Sequence, residues 1–158
     1  MWLLQVQSMD IRDAAAKYLA SRMRTCGEME EYLAKKGFSD DEIREVIEEF
    51  RDFRYLDDEE YCRQYINYAC DKGKGPLRIR QELADRGVDR ETIGFALEDY
   101  YDRDAELERA LRQAEKTVSG KTVDEKMRGR LGRRLVSLGY STDVVYKVIG
   151  ICMREDDE

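Results

Sequence analysis

Apolar residues recur along this chain with the spacing of amphipathic helices, and the same pattern appears three times. Segments 31–50, 81–100 and 133–152 superpose, since Phe50 aligns with Tyr100 after 50 residues and Tyr100 aligns with Cys152 after a further 52. Each segment carries one apolar helical stripe: Ile43, Val46, Ile47 and Phe50; Ile93, Ala96, Leu97 and Tyr100; and Val145, Val148, Ile149 and Cys152. Repetition at a fixed period predicts tandem modules with the same local structure.

The turns between these helices repeat as well. A glycine suited to the left-handed conformation ends the preceding helix in each segment. An apolar residue and an N-cap former follow it, which gives Gly37-Phe38-Ser39, Gly87-Val88-Asp89 and Gly139-Tyr140-Ser141. Ser39 has Glu42 three residues later, which predicts a capping box. A short helix is predicted over 76–86, because Pro76, the only proline, suits a first helical turn.

A further helix precedes each pair. The clearest lies in 61–70, where Tyr61, Tyr65 and Tyr68 share one edge and are predicted to pack in the core rather than stack on bases. Its counterparts are predicted over roughly 10–24 and 103–118. The sequence therefore predicts an all-α fold, an elongated and curved array of three tandem three-helix, helix-turn-helix-like repeats. We assign 10–56 to repeat 1, 57–102 to repeat 2 and 103–158 to repeat 3, after a loosely attached lead-in at 1–9.

Residue composition argues against most enzyme classes. The chain has no histidine, its four cysteines have no C-x-x-C spacing, and "GKGP" lacks the spacing of a phosphate-binding loop. We therefore predict no catalytic residue, no metal and no cofactor. The apolar start, "MWLLQVQ", is too short for a membrane span or a signal sequence. Cysteines used as small core residues suit a reducing compartment, so we expect a cytoplasmic monomer without membrane contact.

Charge is distributed unevenly along the chain. The net charge of −7 disfavours a protein dominated by non-specific phosphate contacts. Residues 1–56 hold 9 basic and 12 acidic side chains, 57–102 hold 7 and 12, and 103–158 hold 12 and 11. Basic residues concentrate in 72–80 and 121–134, and we predict that nine of them contact a partner or DNA: Lys72, Lys74, Arg78, Arg80, Lys126, Arg128, Arg130, Arg133 and Arg134. The alternative interpretation is a pair of solvated faces that compensate acidic neighbours.

The helix pairs resemble a DNA-reading helix-turn-helix, in which the second helix enters the major groove. Here the second helices are acidic: 39–52 carries seven carboxylates, Asp40, Asp41, Glu42, Glu45, Glu48, Glu49 and Asp52, against Arg44 and Arg51. Such a face would be repelled by the phosphates that line the groove. A sequence-specific repressor is therefore disfavoured, and the resemblance concerns packing geometry.

Three segments of repeat 2, "YLDDEEYCRQYI", "KGKGPLRIRQELADRGV" and "ETIGFALEDY", closely resemble the RecX regulatory proteins, the bacterial modulators of the RecA recombinase. The segment "MEEYLAKKGFSDDEIREVIEEF" resembles the first module of that family. The resemblance covers roughly 12–153, with repeat 2 most specific and repeat 3 recognisable mainly through its register.

The resemblance implies three tandem three-helix repeats and a function without catalysis. Proteins of this family bind the RecA–DNA filament along its groove and restrain its ATP hydrolysis, strand exchange and co-protease activity, and some bind DNA. The matching positions are Lys72, Lys74, Gly75, Pro76, Arg78, Ile79, Arg80, Glu82, Leu83 and Gly87, of which only Lys72, Lys74, Arg78 and Arg80 suit a contact role. This chain is more acidic than many relatives, so independent binding to single- or double-stranded DNA is expected to be weak.

Two other functions stay open at this point. The first is a nucleic-acid-binding module that acts without the recombinase, and the second is a helical-repeat scaffold for another protein. Salt dependence of binding to bare DNA distinguishes the first from a filament regulator. Reversal of the charge at Arg78 and Arg80 should abolish the action of a filament regulator or of a nucleic-acid-binding module. It should leave a scaffold active.

Overall fold

The computed structural model describes residues 10–100 and 102–156, and within these residues the chain forms helices without any strand. The helices are α1 (Ile11–Leu19), α2 (Cys26–Lys35), α3 (Asp40–Asp52), α4 (Asp58–Asp71), α5 (Pro76–Asp85), α6 (Arg90–Tyr100), α7 (Arg103–Val118), α8 (Glu125–Leu138) and α9 (Thr142–Asp156). They form tandem three-helix repeats, which confirms the predicted fold class. The predicted lead-in and the side chain of Tyr100 lie outside the described part of the chain.

Each three-helix group encloses its own apolar core. Helices α1–α3 pack around Met29 and Leu33, and α7–α9 pack around Leu131 and Leu135. In α4–α6 the central residues include Ile66, Ile79 and Leu83. The apolar stripes read from the sequence supply the third helix of each core, and Cys152 at the end of the last stripe is half-buried. Three small cores in series, rather than one large one, are what repeat architectures produce.

The helix starts follow side-chain chemistry that is visible in the sequence. Ser39 and Asp89 accept the backbone N–H groups of Glu42 and Thr92, as predicted for N-caps. The predicted capping box at Ser39 is wrong in one half, because the Glu42 carboxylate accepts from the Ser39 hydroxyl rather than from its backbone N–H. A complete capping box forms at Thr25 instead, where the Thr25 hydroxyl accepts the Glu28 N–H and the Glu28 carboxylate accepts the Thr25 N–H at 3.1 Å.

Two helix-level predictions need correction. Helix α1 ends at Leu19 rather than near 24, because the Arg24 guanidinium folds back over the Tyr18 ring at 4.0 Å and donates to the Tyr18 carbonyl. Tyr61 and Tyr65 are buried as predicted, but Tyr68 is 53% exposed. Tyr61 and Tyr68 share an edge of α4, yet only Tyr61 lies at the end that Arg86 covers. Tyr68 is therefore a surface residue.

The middle helices of the three repeats, α2, α5 and α8, form an end-to-end row. At the first junction the start of α2 meets the end of α5, where the Thr25 hydroxyl donates to the Arg86 carbonyl at 2.6 Å. At the second junction the start of α5 meets the end of α8, where the Gly75 N–H donates to the Leu138 carbonyl at 2.6 Å. The helix dipoles consequently align head to tail.

Glycines allow this close approach of backbones. A Cβ atom on Gly27 would lie 2.5 Å from the Gly87 oxygen, and one on Gly75 would lie 2.5 Å from the Gly139 carbonyl carbon. Gly87 and Gly139 also have positive φ angles of 87° and 98°, as helix-ending glycines do. Gly37, the equivalent residue of repeat 1, has the same conformation with no neighbour within 4 Å of a Cβ position among the described residues.

Candidate cationic interface on the middle helices

Five of the nine predicted contact residues lie along one side of α5 and α8. Lys74 and Arg78 of repeat 2 have the same register as Lys126 and Arg130 of repeat 3, 52 residues later. The Arg78 guanidinium reaches the Ser137 carbonyl at 3.5 Å, which places it on the side of α8 that carries Arg130 and Arg134. We call Lys74, Arg78, Lys126, Arg130 and Arg134 the cationic face.

Helix α8 supplies the larger part of this face. Its start is fixed by Asp124, which accepts the Met127 N–H at 2.8 Å, and its inner side buries Met127, Leu131, Leu135 and Leu138. Helical periodicity then leaves Lys126, Arg130 and Arg134 together on one flank. Lys126 and Arg130 line a shallow cleft with Lys121. None of the three flank residues forms an ion pair with another described residue.

At the α5 end, Glu82 holds both cations of the face in place. Lys74 Nζ and Arg78 Nε each lie 3.0 Å from a Glu82 carboxylate oxygen, and the Tyr65 hydroxyl donates to the same carboxylate. Partial burial of Glu82 opposes its ionisation, but hydrogen bonds from Tyr65, Lys74 and Arg78 outweigh burial and lower its pKa. Lys74 and Arg78 are therefore oriented and partly neutralised, while the α8 cations are not.

Of the other four predicted residues, Arg80 and Arg128 lie away from this face, and Lys72 and Arg133 make other contacts. Residues two positions apart on a helix point about 200° apart, so Arg80 and Arg128 lie on the far sides of α5 and α8. Arg128 lines a different cleft, between α8 and α9. The Arg133 guanidinium packs beside Gly129, and the Lys72 ammonium lies 5.8 Å from the centre of the Tyr68 ring. The row of cations on this side therefore contains five of the nine predicted residues.

Two members of the site went unrecognised in the sequence. Lys121 belongs to the same basic run as Lys126 but precedes α8, and its position beside the face depends on the 119–124 loop. Glu82 matched the family pattern, but its role as the anchor of Lys74 and Arg78 was not recognised. The i,i+4 spacing of Arg78 and Glu82 was the available signal.

The remaining polar chemistry gives no support to catalysis. Among residues 10–100 and 102–156 no group of His, Cys, Asp or Glu side chains is placed to hold a metal ion. Burial, with the nearby Asp58 carboxylate, raises the pKa of the Cys26 and Cys62 thiols to about 12, so both are poor nucleophiles at neutral pH. No helix in the described part of the chain is long and apolar enough to cross a membrane.

Family models match the first two repeats of this chain, and relatives match nearly its whole length. The model of RecX, first three-helix domain, matches residues 12–50, and that of RecX, second three-helix domain, matches 57–97. A regulatory protein RecX of Mycolicibacterium smegmatis is 30% identical, and the alignment covers 93% of this chain and 81% of that protein. The Bacillus licheniformis protein of the same name is 32% identical, over 91% of this chain and 56% of its own length.

The chain thus spans about half the length of the Bacillus relatives it matches. Among solved structures, the crystal structure of RecX from Lactobacillus salivarius superposes with a TM-score of 0.80 at 27% identity. That superposition covers 93% of this chain and 94% of the other.

Proposed function

Because the chain belongs to the RecX family, we propose that it is a non-catalytic regulator that binds the groove of a RecA–DNA filament and restrains its ATP hydrolysis, strand exchange and co-protease activity. The cationic face is the observation that supports this proposal most directly. It crosses the junction between repeats 2 and 3, so a single bound molecule presents positive charge to an extended polyanion rather than to one phosphate. Its place of action is the cytoplasm, in DNA repair and the SOS response.

The proposed mechanism needs no reacting group. A protein that binds two states of a filament unequally shifts the equilibrium between them by the difference in its binding free energies. Contacts on successive repeats add through effective concentration, even where each contact is weak. The Glu82 anchor fixes Lys74 and Arg78 relative to α8, which reduces the side-chain entropy lost on binding.

The direct test is the rate of ATP turnover by RecA on single-stranded DNA, with and without this protein. The wild-type protein should slow turnover at stoichiometric amounts. A double charge reversal, Lys126→Glu with Arg130→Glu, should abolish the effect. The matched control, Lys17→Glu with Lys35→Glu, makes the same charge change on exposed positions of repeat 1 and should leave the effect intact. An unchanged ATP turnover with the wild-type protein would refute the proposal.

A second candidate function rests on the same face. If the protein acts on nucleic acid alone, it should bind bare single-stranded DNA with a strong salt dependence. The three cations of α8 that form no ion pair with a described residue would contribute a slope of about −2 in log affinity against log salt concentration, at roughly 0.7 per phosphate contact. Tight binding with that slope, together with no effect on RecA, would favour this candidate. A scaffold for another protein would neither bind bare DNA tightly nor slow ATP turnover by RecA.

A further inference from the structure

The side of α8 that faces away from the cationic face carries an open apolar cleft. It lies between α8 and α9 and has a volume of about 390 Å³. Its apolar lining consists of Gly129, Gly132, Val136, Val145, Tyr146 and Ile149. Val136 and Tyr146 are 61% and 68% exposed and lie on adjacent helices, so they add apolar surface at the edge of the cleft.

The two glycines in this cleft are not required by the packing of the described chain. A Cβ atom on Gly132 would meet the Ile149 Cδ1 at 3.5 Å, an ordinary contact. One on Gly129 would meet only the end of the Arg133 side chain, at 3.1 Å. Both φ angles are helical, and glycine inside a helix weakens it relative to alanine. The glycines at the junctions are required by close backbones, whereas these two leave space open to solvent.

The two glycines of the cleft distinguish repeat 3 from repeat 2. In the register of 52 residues, Gly129 and Gly132 correspond to Leu77 and Arg80 of α5. Both of those residues carry large side chains, and Leu77 is 53% exposed. Had the shared fold required glycine here, α5 would carry it too. The open space at these two positions is therefore a feature of repeat 3 rather than a requirement of the three-helix fold.

The charges beside the cleft indicate the chemistry of what fits it. Arg128 lines the cleft and the Arg133 guanidinium lies next to Gly129, while Glu125 is the single acidic residue at the mouth. Neither arginine forms an ion pair with a residue in the described ranges. Arginine binds carboxylates in a bidentate fashion, and a mainly apolar lining, whose hydroxyl groups are those of Thr142 and Tyr146, suits protein side chains better than phosphates.

We infer that this cleft docks an apolar segment bordered by carboxylates from the recombinase protein, while the opposite side of α8 contacts the DNA of the same filament. The inference rests on the proposed function and assigns its protein contact to a second surface. Helix α8 then lies between the two partners: Lys126, Arg130 and Arg134 meet phosphates, and the cleft meets protein. One helix with two such sides would recognise assembled filament over either component alone.

The test measures two bindings separately for each variant. Gly132→Leu fills the cleft and favours the helix, and Arg128→Gln removes its charge without touching the core. Each should raise the concentration that half-inhibits RecA ATP turnover by at least about ten-fold, yet change binding to a bare single-stranded oligonucleotide by less than about two-fold. The matched control is Gly94→Leu, a helical glycine of α6 with open space around it. It should change neither measurement, and far-ultraviolet circular dichroism establishes that each variant is folded.

Each outcome decides a different point. If the wild-type protein inhibits RecA and both cleft variants inhibit equally well, the cleft inference is wrong and the proposed function stands. If the variants lose oligonucleotide binding along with inhibition, the cleft contacts nucleic acid and the assignment to protein is overturned. If the wild-type protein neither inhibits nor co-sediments with RecA filaments, the proposed function fails and this assignment fails with it.

Discussion

Glu82 shows how one carboxylate can organise a surface that is otherwise cationic. Its oxygens accept from Lys74, Arg78 and Tyr65, which come from the turn before α5, from α5 itself and from α4. The Glu82 and Lys74 side chains are 24% and 18% exposed, so this ion pair is less screened by solvent than the exposed pairs on the helix surfaces. Glu82 thereby orients the two side chains, Lys74 and Arg78, that repeat 2 contributes to the cationic face.

We predict that Glu82→Gln destabilises the protein by about 2 to 3 kcal/mol, because it removes the negative charge that Lys74 and Arg78 share in a partly buried site. The free energy of unfolding in urea measures this change. The control is Glu31→Gln, which breaks the ion pair with Lys35 on the exposed surface of α2 and should cost at most about 0.5 kcal/mol. Equal effects of the two substitutions would show that Glu82 anchors nothing.

The same residue predicts a dependence of stability on pH. The pKa of Glu82 is lower in the folded chain than its ordinary value of 4.5, so its contribution is present in full above that value. The contribution is lost as the pH falls through the lower, folded pKa. The difference in urea midpoint between the wild-type protein and Glu82→Gln should therefore be constant near neutral pH and shrink in acid below about pH 4. A difference that grew in acid would contradict this assignment.

Sequence patterns specify which basic residues share a repeat but not which partners they meet. The alignment of Arg78 with Arg130 could be read directly, and so could the angle that separates Arg78 from Arg80. The contact of Arg78 with the Ser137 carbonyl joins residues 59 positions apart and depends on how repeats 2 and 3 meet. Tyr68 failed as a core prediction for a related reason, since helical periodicity does not say how far along a helix the side chains of other segments, such as Arg86, cover it.

At the scale of the helices, the two junctions follow one plan with different chemistry. A Thr25 hydroxyl at the first junction and a Gly75 N–H at the second each donate to the carbonyl that ends the next middle helix. The second junction has two further hydrogen bonds, both 2.9 Å long. The Leu77 N–H donates to the Gly139 carbonyl, and the Tyr140 hydroxyl donates to the Gly73 carbonyl. Apolar periodicity predicted the helices, but nothing in it indicated that they would meet end to end.

We predict that Gly75→Ala and Gly94→Ala shift stability in opposite directions. A methyl group at Gly75 would overlap the Gly139 backbone, and relief of that overlap should cost about 1 to 3 kcal/mol. Gly94 lies in α6 with open space around it, so alanine should stabilise by about 0.5 to 1 kcal/mol through its helix propensity. Thermal unfolding of the two variants measures both effects. If Gly75→Ala left the thermal stability unchanged, the second junction would accommodate the methyl group without loss of stability.

At the scale of the whole molecule, polar contacts continue from one junction to the next along repeat 2. The Arg86 guanidinium lies 4.1 Å from the centre of the Tyr65 ring and donates to the Tyr61 hydroxyl. The Arg86 carbonyl in turn accepts the Thr25 hydroxyl at the first junction. Together with Glu82 and Arg78, these side chains join repeat 1 to repeat 3 without a shared apolar core, so each repeat can gain or lose order against its neighbour.

That arrangement predicts a local response to damage at either junction, because stability in a linear array is a sum of repeat and nearest-neighbour terms. Gly75→Ala should speed hydrogen exchange in α7–α9, by roughly ten-fold for each 1.4 kcal/mol lost, and leave α1–α3 protected. Gly27→Ala, which overlaps the Gly87 oxygen at the first junction, should do the reverse. Exchange measured by mass spectrometry resolves the two ends. If both variants lowered protection uniformly, the chain would unfold as one cooperative unit and its repeats would be coupled far more tightly than the junction contacts imply.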